Sequence, residues 1–156
     1  MAIPENHLGQ DLRLLENLAE QAGRDRGADL LLREVVHGLQ TDTDLQTVSG
    51  HDNLRQALLL RFLTPLGELA DLGHPAYGSR LYELIGELNS VANRNRARMY
   101  TLQALAGEPR VREPQELTVE QGPDRVTVLI RMRLAVIDSD TPLNLVFPFS
   151  FEGGTP

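Results

Sequence analysis

The chain has 156 residues, a net charge of −7, 41% apolar and only 4% aromatic residues, and no Cys. That length accommodates one compact domain with a core of Leu, Val, Ile and Ala. Without Cys there are no disulfides, zinc–thiolate sites or cysteine nucleophiles, and the acidic balance argues against nucleic acid or an anionic membrane as the main partner. Apolar runs are only a few residues long, so no membrane-spanning helix is expected. Met1-Ala2-Ile3-Pro4-Glu5 lacks the basic and apolar regions of a signal peptide.

From the N-terminus, Leu8, Leu12, Leu15, Leu18, Ala19 and Ala22 follow helical spacing, which predicts an amphipathic helix over 8–22 with Gly23 as its stop. A second helix is predicted over 27–38 from Leu30, Leu31, Val35 and Val36, ending near Gly38. Thr41-Asp42-Thr43-Asp44 reads as a polar turn, followed by a short extended piece from Leu45 to Val48. Asn53 is placed to cap a helix from Leu54 to about Leu63, which Thr64-Pro65-Leu66-Gly67 breaks. His74-Pro75-Ala76-Tyr77-Gly78 is a loop dense in breakers. Ser79 is expected to cap a helix holding Leu81, Leu84 and Ile85. A longer helix over 90–106 carries Val91, Met99, Leu102 and Leu105 near one face, with Arg94, Arg96 and Arg98 mostly solvated.

The final third reads as β. A strand over 116–121 reaches a Gly122-Pro123-Asp124 connection. In the next strand, 125–137, Val126, Val128, Ile130, Met132, Leu134 and Val136 share one face, and Thr127, Arg131 and Arg133 the other. After the turn Asp138–Pro142, Leu143, Leu145, Phe147, Phe149 and Phe151 alternate with Asn144, Val146, Pro148 and Ser150. The whole is an α+β chain, with N-terminal helices packed on a small antiparallel C-terminal β-meander. A sheet of about three strands presents edges to which a partner's strand can add.

Between helix and sheet stands Gly107-Glu108-Pro109-Arg110-Val111. Pro109 cannot continue the helix and biases Glu108 toward extended backbone, while Arg110 offers a planar fork of donors. This charged, rigid tip suits docking on a protein better than catalysis.

Residues from about 45 to 152 resemble the small baseplate-wedge family of contractile injection systems. That family includes the phage tail-sheath initiator and TssE of type VI secretion, and it shares a fold family with the anti-adaptor IraD. The matching pieces, in order, are Asn53–Leu58, Leu63-Thr64-Pro65-Leu66-Gly67-Glu68-Leu69, His74–Leu81 around Pro75 and Tyr77-Gly78, Glu108-Pro109-Arg110-Val111, and Leu145–Phe149. The resemblance divides the chain into an N-terminal helical extension, 1–44, and a wedge domain, 45–156. It implies a non-enzymatic structural subunit without cofactor or metal. Its partners are then larger wedge proteins (TssF/TssG-like), first-ring sheath subunits, and hub or tube proteins, with no nucleic acid and no membrane insertion. Glu108, Pro109, Arg110, Tyr77, Arg80, Phe147 and Phe149 become the expected partner-binding residues. Assembly is expected in the cytoplasm, within a phage tail-like particle.

Two other readings are weighed beside it. A peptidoglycan hydrolase of the tail-lysozyme kind needs two carboxyl groups across a cleft, one with a raised pKa. Glu68, Glu83, Glu87 and Glu108 are the candidates, but few aromatics are available to stack a sugar. A small IraD-like regulator would act by binding one soluble partner. His7, His37, His51 and His74 lack metal-ligand spacing, and Ser49-Gly50-His51-Asp52 reads as a loop rather than a triad.

Overall fold

The computed structural model describes residues 5–15 and 31–152. Among them are two α-helices and seven strands, arranged as three antiparallel sheets. The fold is α+β.

The C-terminal sheet follows the alternation of its sequence. Strand β5, Val111–Gln121, pairs with β6, Thr127–Val136, which pairs with β7, Leu143–Ser150. Val128, Ile130, Met132, Leu134 and Val136 of β6 are buried, as are Leu143, Leu145, Phe147 and Phe149 of β7 and Phe151 just beyond it. The period of two puts these side chains on one face, where the helices cover them. Phe62 of the first helix meets Phe147 with ring centroids 5.4 Å apart, and Phe149 meets Phe151 edge-on at 5.3 Å. Thr127, expected on the solvent face, is buried because Asp124 accepts hydrogen bonds from its amide and hydroxyl and closes the turn. Strand β5 begins earlier than expected, and register shifts at Arg112 and Gln115 flank Pro114, which sits in an outer strand.

Helix α1, Gly50–Leu63, starts before the predicted cap: Ser49 is its N-cap, and the stretch read as a Ser-Gly-His-Asp loop runs into its first turn. Asn53 lies inside the helix instead. Its side-chain amide donates to Leu8 O at 2.8 Å. One turn on, Gln56 donates to Leu12 O and accepts from the amides of Leu14 and Leu15. These buried amides hold residues 8–15 in an extended course. The predicted helix over 8–22 is therefore absent from its described part. Glu5–Leu8 is a single 3-10 turn, and β1, Gln10–Leu12, pairs with β4, Thr47–Ser49.

The helix predicted over 27–38 is also replaced, as far as it is described. Strands β2, Leu32–His37, and β3, Gln40–Leu45, form a hairpin around Gly38-Leu39, with Gly38 at φ 66°. A two-residue loop led by a left-handed glycine is a hairpin signature, and Val35 and Val36 favour strand. Thr41–Asp44, read as a turn, lies within β3. The expected boundary at 44/45 thus cuts a strand, and the described part of residues 1–44 holds strands and one 3-10 turn but no α-helix. Residues 16–30, which include the rest of both predicted helices, lie outside the described residues.

Helix α2, Val91–Ala106, is capped by Ser90, whose Oγ accepts from the Asn93 amide at 3.2 Å. It buries Asn93, Ala97, Tyr100, Thr101, Ala104 and Leu105, a stripe at helical spacing whose small members bring the helix close to its neighbours. Val91 and Met99, expected on that face, are exposed instead. Arg98 is not simply solvated, since its Nε donates to Leu117 O in β5. The predicted helix after Ser79 is a short 3-10 turn, Leu81–Leu84, although Ser79 Oγ does accept from the Leu81 amide.

Candidate functional site

The corner between the end of α2 and the end of α1 gathers the residues that the sequence singled out. Helix α2 stops at Gly107, and the chain turns through Glu108 and Pro109 into β5. Glu108 is 5% exposed, so it is not the open charged tip expected of it. Arg110 folds back onto it in a bidentate fork, Nε to Oε1 at 2.7 Å and Nη2 to Oε2 at 3.1 Å, while the Arg110 amide also reaches Oε1. The third donor group of Arg110, Nη1, binds Leu8 O at 3.1 Å. A buried carboxylate needs this degree of pairing, because desolvation alone would expel it or neutralise it. Burial pushes the Glu108 carboxyl up, but the hydrogen bonds and charge of Arg110, with the charge of Arg61, outweigh that and hold it below the ordinary glutamate value.

Arg61, in the last turn of α1, was not anticipated as a member of this group. Its Nη2 lies 3.7 Å from Glu108 Oε2, and its guanidinium stacks 4.5 Å from the centre of the Tyr77 ring. The cue was available in Leu58-Leu59-Leu60-Arg61-Phe62-Leu63, where a cation interrupts an apolar run on a helix that must be buried. Tyr77 is brought here by the loop 64–79. The Leu66 and Ser79 amides donate to Ser79 O and Thr64 O, which closes the loop, and Gly67 N donates to Tyr77 O. Gly78 is required in this closure: at φ 109°, a Cβ would lie 2.6 Å from Thr64 O and Pro65 O. Burial raises the Tyr77 pKa, opposed by Arg61 and reinforced by Glu108. Gly107 has an ordinary φ of −84°, and its lack of a side chain has a different cause, since a Cβ would come within 3.0 Å of Arg61 Nη1.

A second clasp stands beside the first. Arg80 binds Glu83 through Nε at 2.7 Å and Nη2 at 2.9 Å, and Tyr100 donates its hydroxyl to the same carboxylate at 3.1 Å. Arg80 also lies 4.6 Å from the Tyr100 ring centre, and Arg96 donates to the Tyr100 hydroxyl. The Arg80 hydrogen bond is the main cause of the lowered Glu83 pKa.

The structure thus brings Glu108, Arg110, Tyr77 and Arg80 to one corner, with Pro109 exposed on it. Phe147 and Phe149 do not join them. They are 2% and 7% exposed and pack in the core, so their side chains are not a partner surface; the alternation that displayed them in sequence places them inward. Of the other candidate carboxylates, Glu68 and Glu87 are exposed. His51 is directed to the β6–β7 turn, with Nε2 3.2 Å from Thr141 O and 3.4 Å from Ser139 Oγ. Among the described residues no group of three or more His, Cys, Asp or Glu is placed to hold a metal ion, and no helix is long and apolar enough to cross a membrane.

No family model and no curated protein matches the chain. Among solved structures, it is similar to a protein from Geobacter sulfurreducens described as a "putative tail lysozyme". The TM-score is 0.51 at 22% sequence identity, over 61% of this chain and 85% of that one. At that identity the likeness is one of fold.

Proposed function

We propose that the chain is a structural subunit of a phage tail-like contractile particle. In this reading it is a baseplate wedge component that docks through the Gly107–Val111 corner on larger wedge subunits. Its C-terminal sheet then accepts a strand from the first sheath ring. The observation that carries the reading is the buried, doubly contacted Glu108. It fixes the turn after α2, so that Pro109 and the outer part of Arg110 are presented without a conformational search, and a preorganised surface loses less entropy on docking. The fold likeness to a protein whose name places it in a tail supports the same setting. Strand addition would use main-chain groups of an outer strand, β5 or β7, and would leave Phe147 and Phe149 in the core.

The hydrolase alternative takes its support from that same name. Against it stands the chemistry of two of its four candidate carboxylates. A general acid needs a raised pKa, whereas arginines lower those of Glu83 and Glu108 and occupy their oxygens. A small IraD-like binding regulator is the third reading; a single soluble partner would bring the chain out of any particle.

The test is co-expression with candidate wedge and sheath subunits, followed by electron cryo-microscopy. Pro109→Asp alters the exposed apex and leaves the Glu108–Arg110 clasp in place. The variant is expected to fold, with near-native melting, and to be missing from a ring at the base of the sheath. Normal assembly of Pro109→Asp would end the docking reading. Cell-wall turnover by the purified protein would establish the hydrolase instead.

A further inference from the structure

A cleft of about 330 Å³ opens beside the Glu108 clasp, between the loop 64–79 and α2. Arg61 and Arg80 both line it, and Ala76, Gly78, Ala104 and Gly107 contribute small side chains or none. The two arginines differ in one respect. Arg80 spends its fork on Glu83. Arg61 is only 8% exposed, yet its Nε is buried without an acceptor among the described residues. Among the described residues its carboxylate neighbour is Glu108, 3.7 Å away, longer than a hydrogen bond, and both oxygens of Glu108 already serve Arg110. A buried guanidinium left short of acceptors is costly, so Arg61 is the surplus cation of this corner.

The wider charge distribution points the same way. In a chain of net charge −7, this cleft and the groups directly behind it hold Arg61, Arg80, Arg96 and Arg110 against Glu83 and Glu108. The excess there is local and positive. The space and its apolar rim residue Leu66, 42% exposed, suit a single carboxylate on a short aliphatic stem.

We propose that this cleft receives an acidic side chain, a glutamate or aspartate of a partner protein, with its carboxylate paired to Arg61. The occupant's identity as a partner's residue rests on reading the chain as an assembly subunit; the carboxylate preference rests on Arg61 alone. Arg61 then acts as an acceptor site for a partner, and the Gly107–Val111 turn beside it sets the approach.

The experiment is a titration of the ¹⁵N-labelled full chain with the blocked dipeptides acetyl-Glu-Leu-amide and acetyl-Gln-Leu-amide, and with glutarate. The Glu peptide is expected to shift the Arg61 Nε–H resonance and the Gly78 and Gly107 amides saturably, and to bind roughly tenfold more tightly than the Gln peptide, as a charge-assisted bond implies. Arg61→Met, which leaves Glu108 paired with Arg110, should abolish the shifts while β6 and β7 resonances stay in place. Gln103→Glu sets a carboxylate on the exposed wall of the same cleft, and should weaken the Glu peptide without disturbing the fold. Equal binding of the two peptides, no shift with either, or undiminished binding by both variants would overturn the proposal. Glutarate binding as tightly as the Glu peptide would overturn the partner protein as occupant, in favour of a free dicarboxylate. Should the peptide bind while Pro109→Asp particles assemble normally, docking through the Gly107–Val111 corner fails and the carboxylate site stands.

Discussion

Two glutamates a short distance apart in the fold are clasped by arginine in nearly the same way, and their surroundings set them apart. Glu83 and Arg80 sit three residues apart on a 3-10 turn, with side chains 28% and 40% exposed. Glu108 and Arg110 sit two residues apart on a tight turn, with the carboxylate 5% exposed and Arg61 behind it. Near water, a broken pair can be rehydrated, so its contribution is small. In the interior, the partner left behind keeps its charge without solvent, so the same geometry becomes a structural requirement. The clasp at Glu108 also ties together elements remote in sequence, since Arg110 binds Leu8 O and Arg61 belongs to α1. The one at Glu83 involves its own turn and α2. Similar hydrogen bonds thus build a rigid corner in one place and decorate a surface in the other.

The strongest way to break this comparison is to remove each carboxylate. Glu108→Ala strands two arginines at a buried site, and the expected loss is about 3–5 kcal/mol, read from urea unfolding. Glu83→Ala should lower stability by much less in the same assay. Equal losses would mean that burial is not what separates the two sites.

Acid sharpens it next. The Glu108 pKa is depressed in the folded state, so its contribution is complete above the unfolded glutamate value of about 4.3 and is lost as pH falls through the lower folded value. Glu83 and Asp124 shift in the same direction. Stability measured from pH 6 downward should therefore hold level until about pH 5 and then decline. In Glu108→Gln, the decline should be shallower. An unchanged slope in that variant would remove Glu108 from the acid response.

The smallest effect is expected at Gly107. Its φ of −84° suits alanine, and in open space Gly→Ala there would stabilise by about 0.4–1 kcal/mol. The 3.0 Å approach of Arg61 Nη1 reverses that sign. Gly107→Ala should destabilise the native chain by about 1 kcal/mol and become neutral or stabilising in an Arg61→Ala background. Additive behaviour of the two substitutions would show that Arg61 does not confine this glycine.

Other parts of the molecule differ in how far their sequence can be read. Strands β6 and β7 show themselves through strict alternation, because a period of two assigns each side chain to a face without reference to anything distant. Ser90 and the stop at Gly107 likewise mark α2 by local chemistry. The N-terminal stretch has leucines at helical spacing, but spacing is a weak preference, and the side-chain amides of Asn53 and Gln56 claim the backbone groups that a helix would have used internally. At the candidate site, Glu108, Pro109 and Arg110 stand together in the sequence and Tyr77 and Arg80 are legible nearby. Arg61 is not, and neither is the inward turn of Glu108.

By itself, then, the sequence determined the α+β class, the two outward–inward alternating strands, the span of α2 and the charged turn that follows it. These depend on rotations and caps set within a few residues. Only the tertiary structure decided that residues 10–12 are a strand and 32–45 a β-hairpin, that Phe147 and Phe149 belong to the core, and that Glu108 is enclosed between Arg110 and Arg61. Those outcomes depend on which distant groups supply hydrogen bonds and which exclude water, and no local pattern encodes that.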